Sequence, residues 1–147
     1  MAQASDACRL TGLTQHQLRE WCVRRGVVRP DVPPAGPGRH ALYSWQTLLA
    51  LRLLREIHEQ FGVEVSAWST AITSLISQLQ GRSFPSLWGL AAQFPSANEA
   101  SIIGSREGTH QGLTLAFDPH LEVLASALSL PGPPYQLPLF PVLAVQP

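Results

Sequence analysis

The stretch Thr11–Arg25 constrains the fold of this chain more than any other part. The hydroxyl of Thr14 can accept a hydrogen bond from the amide of Gln17, and the Gln17 side chain can bond back to the amide of Thr14. This reciprocal pattern is a capping box, and Leu13 and Leu18 are spaced to form the hydrophobic staple that accompanies it. The stretch therefore predicts a helix that begins directly after Thr14.

The predicted helix has two different faces, because successive residues turn by about 100°. The inner face takes in Leu18, Trp21, Cys22 and the stem of Arg25. The outer face carries His16, Arg19, Glu20 and Val23. Arg and Gln are the residue types that read guanine and adenine in a major groove, so Gln15, His16 and Arg19 are candidates for base contacts. The alternative is an ordinary solvated helix surface.

A second helix is expected just before this one. Ser5 can cap a helix over about Asp6–Leu10, and Gly12 supplies the flexible residue that a tight turn between two helices needs. Gly26 is placed to end the capped helix. These features predict a helix-turn-helix.

The region that follows has the outline of a wing. Residues 27–29 can run extended, the proline- and glycine-rich sequence PDVPPAGPGRH over residues 30–40 excludes a helix, and residues 41–43 can return as a strand. Arg39 and His40 would lie near the tip of this wing or on its returning arm.

Two longer helices come next. Ser44 caps the first, Trp45 to about Phe61, and Gly62 stops it. The second is opened by Glu64 and Ser66 and ends at Gly81, and its apolar stripe is Trp68, Ile72, Leu75 and Leu79. Packing inside one subunit and a dimer seam are equally compatible with that stripe.

The charge is distributed unevenly although the formal net charge is zero. Residues 1–55 contain eight arginines and three acidic residues, whereas residues 56–147 contain two arginines and seven acidic residues. A basic first half favours a nucleic-acid partner. Every basic residue is Arg, which suits phosphate and guanine contacts better than Lys.

Other classes of function are disfavoured. Cys8 and Cys22 are interpreted as small buried residues, so we expect no metal and no cofactor. The closest approach to a catalytic pair is Asp118 with His120, which we interpret as a helix N-cap and an exposed neighbour, so the chain is not expected to be an enzyme. Without a signal peptide or a membrane span, we expect a cytoplasmic protein.

In their order, these parts resemble the DNA-binding module of MerR-type transcriptional regulators. The resemblance rests on ACRLTGLTQHQLREW for the helix-turn-helix, RRGVVRP for its exit, GPGRHALYSWQTLLALRLL for the wing and third helix, and EQFGVEVSAW for the entry to the fourth. It covers roughly residues 4–80. It implies a second helix in the major groove, a wing on the phosphate backbone, and pairs of subunits on a pseudo-palindrome.

The resemblance also implies roles for individual residues. Base reading falls to Gln15, His16 and Arg19, and phosphate binding to Arg39 and Tyr43. The full set of expected DNA-binding residues is Thr14, Gln15, His16, Arg19, Arg24, Arg39, His40 and Tyr43. The chain departs from the family in four ways. Only MAQA precedes the first helix, where a short strand is usual, and the interval from Arg19 to Gly26 is one residue longer. The spacing from Arg39 to Tyr43 is longer than the common R-x-Y, and no long coiled-coil helix follows helix four.

The remaining residues predict a small αβ appendix. A short helix is expected over Leu87–Gln93, strands over Ala100–Gly104 and Leu113–Phe117, and a helix over Asp118–Leu128. The fold class is thus mainly α: a winged helix-turn-helix with a fourth helix and an αβ appendix. The expected regions are a DNA-binding domain over 4–80, a dimerisation or partner-binding region over 81–130, and a proline-rich tail over 131–147.

The sequence therefore predicts a sequence-specific DNA-binding transcriptional regulator. Its expected partners are double-stranded DNA and a second copy of the chain bound through the C-terminal half, with a possible protein partner at the tail and no membrane. The alternative is a winged-helix protein–protein interaction module that does not bind DNA.

Overall fold

The chain begins with two short helices joined by a tight turn. The computed structural model describes residues 1–105 and 112–133, and in it α1 spans Ala4–Thr11 and α2 spans Gln15–Arg19. Gly12 between them has φ 80°, and a Cβ at this position would lie 3.0 Å from the guanidinium carbon of Arg55. Only glycine meets both conditions without strain. The predicted helix-turn-helix corner is confirmed.

The capping box at the start of α2 is confirmed. Thr14 Oγ1 accepts a hydrogen bond from the Gln17 amide at 3.0 Å, and Gln17 Oε1 accepts one from the Thr14 amide at 3.1 Å. Leu13 and Leu18, the expected staple pair, are both buried. Local sequence alone therefore specifies where the helix begins.

The start of α1 differs from the prediction. The helix begins at Ala4 with Gln3 as its N-cap, so Ser5 lies inside the helix and does not cap it. The reason is a backbone bridge in which the Ala2 amide donates to the Tyr43 carbonyl at 2.9 Å and the Tyr43 amide donates to the Ala2 carbonyl at 2.8 Å. This bridge holds residue 2 extended, in the place where the resembled family has a short strand.

The second helix continues beyond α2 as a π turn over Glu20–Arg24, in which the Arg25 amide donates to the Glu20 carbonyl at 2.9 Å. A π turn holds one more residue than an α turn, so it absorbs the longer interval between Arg19 and Gly26. Trp21 and Cys22 are buried as predicted. The Arg25 stem was wrongly expected in the core: its side chain is 44% exposed and pairs with Glu64.

The strands expected on either side of the proline-rich loop do not form. Isolated backbone hydrogen bonds stand in their place. The Val27 and Val28 amides both donate to the Trp21 carbonyl, at 2.8 and 3.4 Å. One antiparallel bridge, between Val32 and Leu42, closes the base of the loop. The prolines between them have no amide donor, and a ladder cannot extend without donors.

Asp31 ties the base of this loop to the next helix. Asp31 Oδ1 accepts hydrogen bonds from the Ser44 amide and the Thr47 hydroxyl, both at 2.7 Å, and Oδ2 accepts one from the Ser44 hydroxyl at 2.8 Å. A carboxylate at a helix N-terminus is also stabilised by the helix dipole. The loop and the following helix are therefore joined at one point.

The two longer helices were predicted correctly. The helix α3 spans Trp45–Phe61, begins at the Ser44 cap and ends at Gly62, which has φ 65°. A 3₁₀ turn over Val65–Trp68 is capped by the Glu64 side chain and leads into α4, Ser69–Gln80.

The C-terminal part contains a three-stranded antiparallel sheet with the order β2-β1-β3, where β1 is Leu90–Ser96, β2 is Glu99–Gly104 and β3 is Leu113–Ala116. The helix expected over Leu87–Gln93 is therefore wrong. A short apolar run suits a buried strand as well as a helix, and here β1 is the central strand, buried from Ala91 to Phe94.

One hydrophobic core joins the helix-turn-helix to the C-terminal part. In α4, Ile72, Leu75 and Leu79 are fully buried within the chain. Trp68 makes an edge-to-face contact with Phe94 of β1, with ring centroids 5.6 Å apart. The stripe on α4 is thus packed inside the subunit, and its interpretation as a dimer seam is wrong.

The last helix, α5 (Asp118–Leu128), docks on α3 through a buried histidine. His120 is 8% exposed, and its Nε2 lies 2.7 Å from Glu56 Oε1. Arg52 Nε donates to His120 Nδ1 at 3.1 Å and Arg52 Nη1 donates to the Leu10 carbonyl. His120 was expected to be exposed, and this expectation is wrong. The expectation that Asp118 caps the helix is also wrong, because its carboxylate accepts a hydrogen bond from the Gly89 amide instead.

Candidate nucleic-acid interface

The predicted base-reading residues share one exposed turn of the second helix. Gln15, His16 and Arg19 are exposed, and the capping box holds the backbone from which they project. Thr14 is exposed as well, but its hydroxyl already accepts the Gln17 amide. This turn carries donors at the N-terminal end of a helix, where base contacts are made in helix-turn-helix proteins.

A groove of about 230 Å³ runs between this helix and the returning arm of the loop. Gln15, Arg19 and Val23 line one wall, and Ala41 and Tyr43 line the other. The two predicted DNA-contacting elements are therefore adjacent. Side chains from both elements line this one depression.

Tyr43 does not fit the phosphate role that the resemblance implied. The residue is only 2% exposed, and burial raises the pKa of its hydroxyl to about 12. A phosphate oxygen has little access to a side chain so enclosed. We therefore assign Tyr43 to the core, where its backbone holds residue 2 in place.

Arg39 and His40 lie together on the exposed loop. The Arg39 amide donates to the Gly36 carbonyl at 3.0 Å, which makes a tight turn, and Gly38 inside that turn has φ 78°. Both side chains are exposed to solvent. The loop thus presents both side chains to solvent, directly before Ala41, which lines the groove beside Arg19.

Arg24 is exposed on the π turn, with 68% of its side chain accessible, and its Nη1 donates to Glu20 Oε1 at 2.9 Å. An exposed ion pair of this kind contributes little to stability and does not remove the cation from the surface. Arg24 therefore remains available to a phosphate.

Two residues near the interface were missed by sequence reasoning. Asp31 positions the loop through its bonds to Ser44 and Thr47, and no local pattern distinguishes it from any other turn aspartate. Arg29 is exposed beside Arg24 and Arg25 along the exit of the helix. Its place in RRGVVRP, next to the predicted wing, was a usable signal.

Both cysteine thiols resist ionisation in the folded chain. Burial, with a smaller effect from Cys8, raises the pKa of Cys22 to about 12, and burial also raises the pKa of Cys8. Within residues 1–105 and 112–133, no cluster of three His, Cys, Asp or Glu residues could hold a metal ion. Among the helices of those residues, none is both long and apolar enough to cross a membrane.

A comparison with known families agrees with this arrangement. Residues 3–74 match the family model described as MerR HTH family regulatory protein, and no curated protein matches the chain. The match takes in α1, the second helix, the proline-rich loop and α3. It indicates a DNA-binding transcriptional regulator. Residues 3–74 of this chain are a MerR-type helix-turn-helix module.

Proposed function

We propose that this protein is a sequence-specific DNA-binding transcriptional regulator that inserts its second helix into the major groove and rests its proline-rich loop, acting as a wing, on the phosphate backbone. Gln15, His16 and Arg19 read bases, while Arg24, Arg39 and His40 contact phosphates. The observation that carries the proposal is the exposed turn with Gln15 and Arg19, rigidly capped and adjacent to the basic loop.

The distribution of charge along the chain supports DNA binding by its N-terminal part. Eight of its ten arginines lie in residues 1–55, and the acidic excess lies beyond them. Phosphate contacts supply affinity and orientation, whereas base contacts supply specificity. Removing an arginine from the helix should therefore reduce sequence preference, whereas removing one from the loop should reduce affinity for every duplex.

Selection of bound sites from random duplex DNA, followed by binding measurements at several salt concentrations, tests the proposal. Arg19→Ala should cost about 1–3 kcal/mol and relax preference at one base position, because it removes a base contact. Arg39→Ala should weaken binding to all duplexes and lower the salt slope by about one unit, because it removes a phosphate contact.

Arg82→Ala is the matched control, since Arg82 is exposed just after α4 and outside the proposed interface. If the intact protein has no affinity for any duplex at low salt, the proposal fails. A winged-helix module for protein–protein interaction then becomes the better interpretation.

We also propose that the protein acts as a homodimer assembled through its C-terminal half. One helix-turn-helix covers a single half-site and makes few phosphate contacts, so useful specificity normally requires two copies about a two-fold axis. The acidic balance of residues 56–147 would keep the dimer contact away from the DNA backbone.

A further inference from the structure

A second basic depression lies at the exit of the DNA-reading helix, next to the groove that holds Arg19. It has a volume of about 430 Å³. Its walls include Arg24, Arg25, Arg29, Pro30, Pro33 and Pro34. The π turn and the glycine after it, which has φ 63°, bring the helix exit round to face the prolines of the loop. We call this depression the exit cleft.

The arginines of the exit cleft differ in their ion pairs with carboxylates. Arg24 is paired with Glu20 at 2.9 Å. Arg25 lies between Glu20, at 3.8 Å, and Glu64, with which it forms a close ion pair. Arg29 is exposed and has no ion pair anywhere in the described residues. Among the described residues, Arg29 is therefore the cleft arginine that has no ion pair with a carboxylate.

The position of the Arg29 side chain is partly set before any ligand arrives. Its Nε lies 3.8 Å from the place that a Cβ on Gly26 would occupy, so the guanidinium rests over the glycine. The neighbouring Pro30, Pro33 and Pro34 have no amide hydrogens to offer, which leaves the arginines as the main donors of the cleft. A planar guanidinium on such a wall suits a phosphate diester, which it can bind through two parallel hydrogen bonds.

The exit cleft is continuous with the proposed interface. Val23, which is 58% exposed, lines both the exit cleft and the groove that contains Gln15 and Arg19. A nucleic-acid strand that lies along the second helix therefore passes from the base-reading turn across Val23 to Arg29. A small free anion would fill only one of the two depressions, whereas a nucleic-acid strand can contact both.

We infer that Arg29, supported by Arg24, binds a backbone phosphate of the same duplex whose bases Gln15 and Arg19 read. This inference rests on the proposed function and adds to it a phosphate contact outside the expected set.

The test is a comparison of the full chain with its Arg29→Ala variant on one selected duplex and one unrelated duplex, between 50 and 200 mM salt. Loss of one phosphate contact lowers the salt slope by about 0.9, so the fold-loss of affinity between 50 and 200 mM salt should be about 3.5 times smaller in the variant. Base preference should be unchanged. Arg82→Ala should keep the slope of the unaltered chain, and thermal unfolding of each variant checks that the fold is intact.

A folded Arg29→Ala protein with the slope of the unaltered chain would overturn the inference while leaving DNA binding itself in place. Altered preference at a base position would overturn it too, because Arg29 would then read sequence rather than phosphate. If the unaltered chain binds neither duplex, the proposed function fails first.

Discussion

At the scale of single residues, Trp21 and Val23 lie two positions apart on the second helix and serve different purposes. Trp21 is 5% exposed and makes an edge-to-face contact with His58 of α3, with ring centroids 5.6 Å apart. Val23 is 58% exposed and borders the proposed interface. The same helix thus presents one side chain to the core and another to a partner.

Trp21→Ala should lower the free energy of unfolding by about 3–5 kcal/mol, because it removes a large buried ring and leaves a cavity. Urea unfolding followed by circular dichroism measures this change. Val23→Ala is the control and should shift stability by less than about 0.5 kcal/mol. A Trp21→Ala protein of unaltered stability that had merely lost DNA affinity would show that the tryptophan faces the partner.

At the scale of elements, His120 attaches α5 to α3 through Arg52 and Glu56. Arg52 in turn donates to the Leu10 carbonyl of α1. Arg52 Nε is always protonated and donates to His120 Nδ1, so the neutral imidazole carries its proton on Nε2 and donates it to Glu56. Burial is the main cause that lowers the pKa of His120 from its ordinary 6.5, and the Glu56 hydrogen bond opposes that effect. A second proton would have to sit on Nδ1, where it would face the Arg52 cation.

The pKa of His120 is lower in the folded than in the unfolded chain, so the unfolded chain takes up a proton at this histidine more readily. The stability that neutral His120 contributes is therefore complete above pH 6.5 and is lost as the pH falls below 6.5. We expect the free energy of unfolding to decrease between pH 7.5 and 5.5. His120→Gln should make that dependence shallower, whereas His40→Gln, in the exposed loop, should not. Equal slopes in all three proteins would refute a neutral buried His120.

At the scale of the whole molecule, the two halves share one core and leave little of the expected dimer surface free. Trp45 of α3 packs edge-to-face on Phe84, with centroids 5.2 Å apart, and Phe84 packs in turn on Trp88. On α5, the large apolar side chain of Val123 is 39% exposed. A dimer contact must therefore use surfaces other than the α4 stripe.

We expect the full chain to sediment as a dimer at micromolar concentration and to bind a two-fold symmetric site as one unit. Analytical ultracentrifugation with and without the selected duplex measures this. A chain that stays monomeric both free and on DNA would contradict assembly through the C-terminal half.

Elements whose signals are local can be predicted from the amino-acid sequence. The capping box at Thr14, the cap at Ser44, and the glycines at residues 12 and 62 each act on backbone within a few residues. These signals suffice to predict the second helix and α3, and with them the exposed turn that carries Arg19. The family match over residues 3–74 includes all of these local features.

Features that depend on contacts between residues far apart in the sequence could not be predicted in this way. The run around Ala92 became a central strand because strands on both sides pair with it, which no local pattern records. Tyr43 is buried where its backbone bridges to residue 2. His120 is buried where Arg52 and Glu56, more than sixty residues away in the sequence, form hydrogen bonds with it. Local bonds set where a helix begins, whereas burial is set by the whole packed chain.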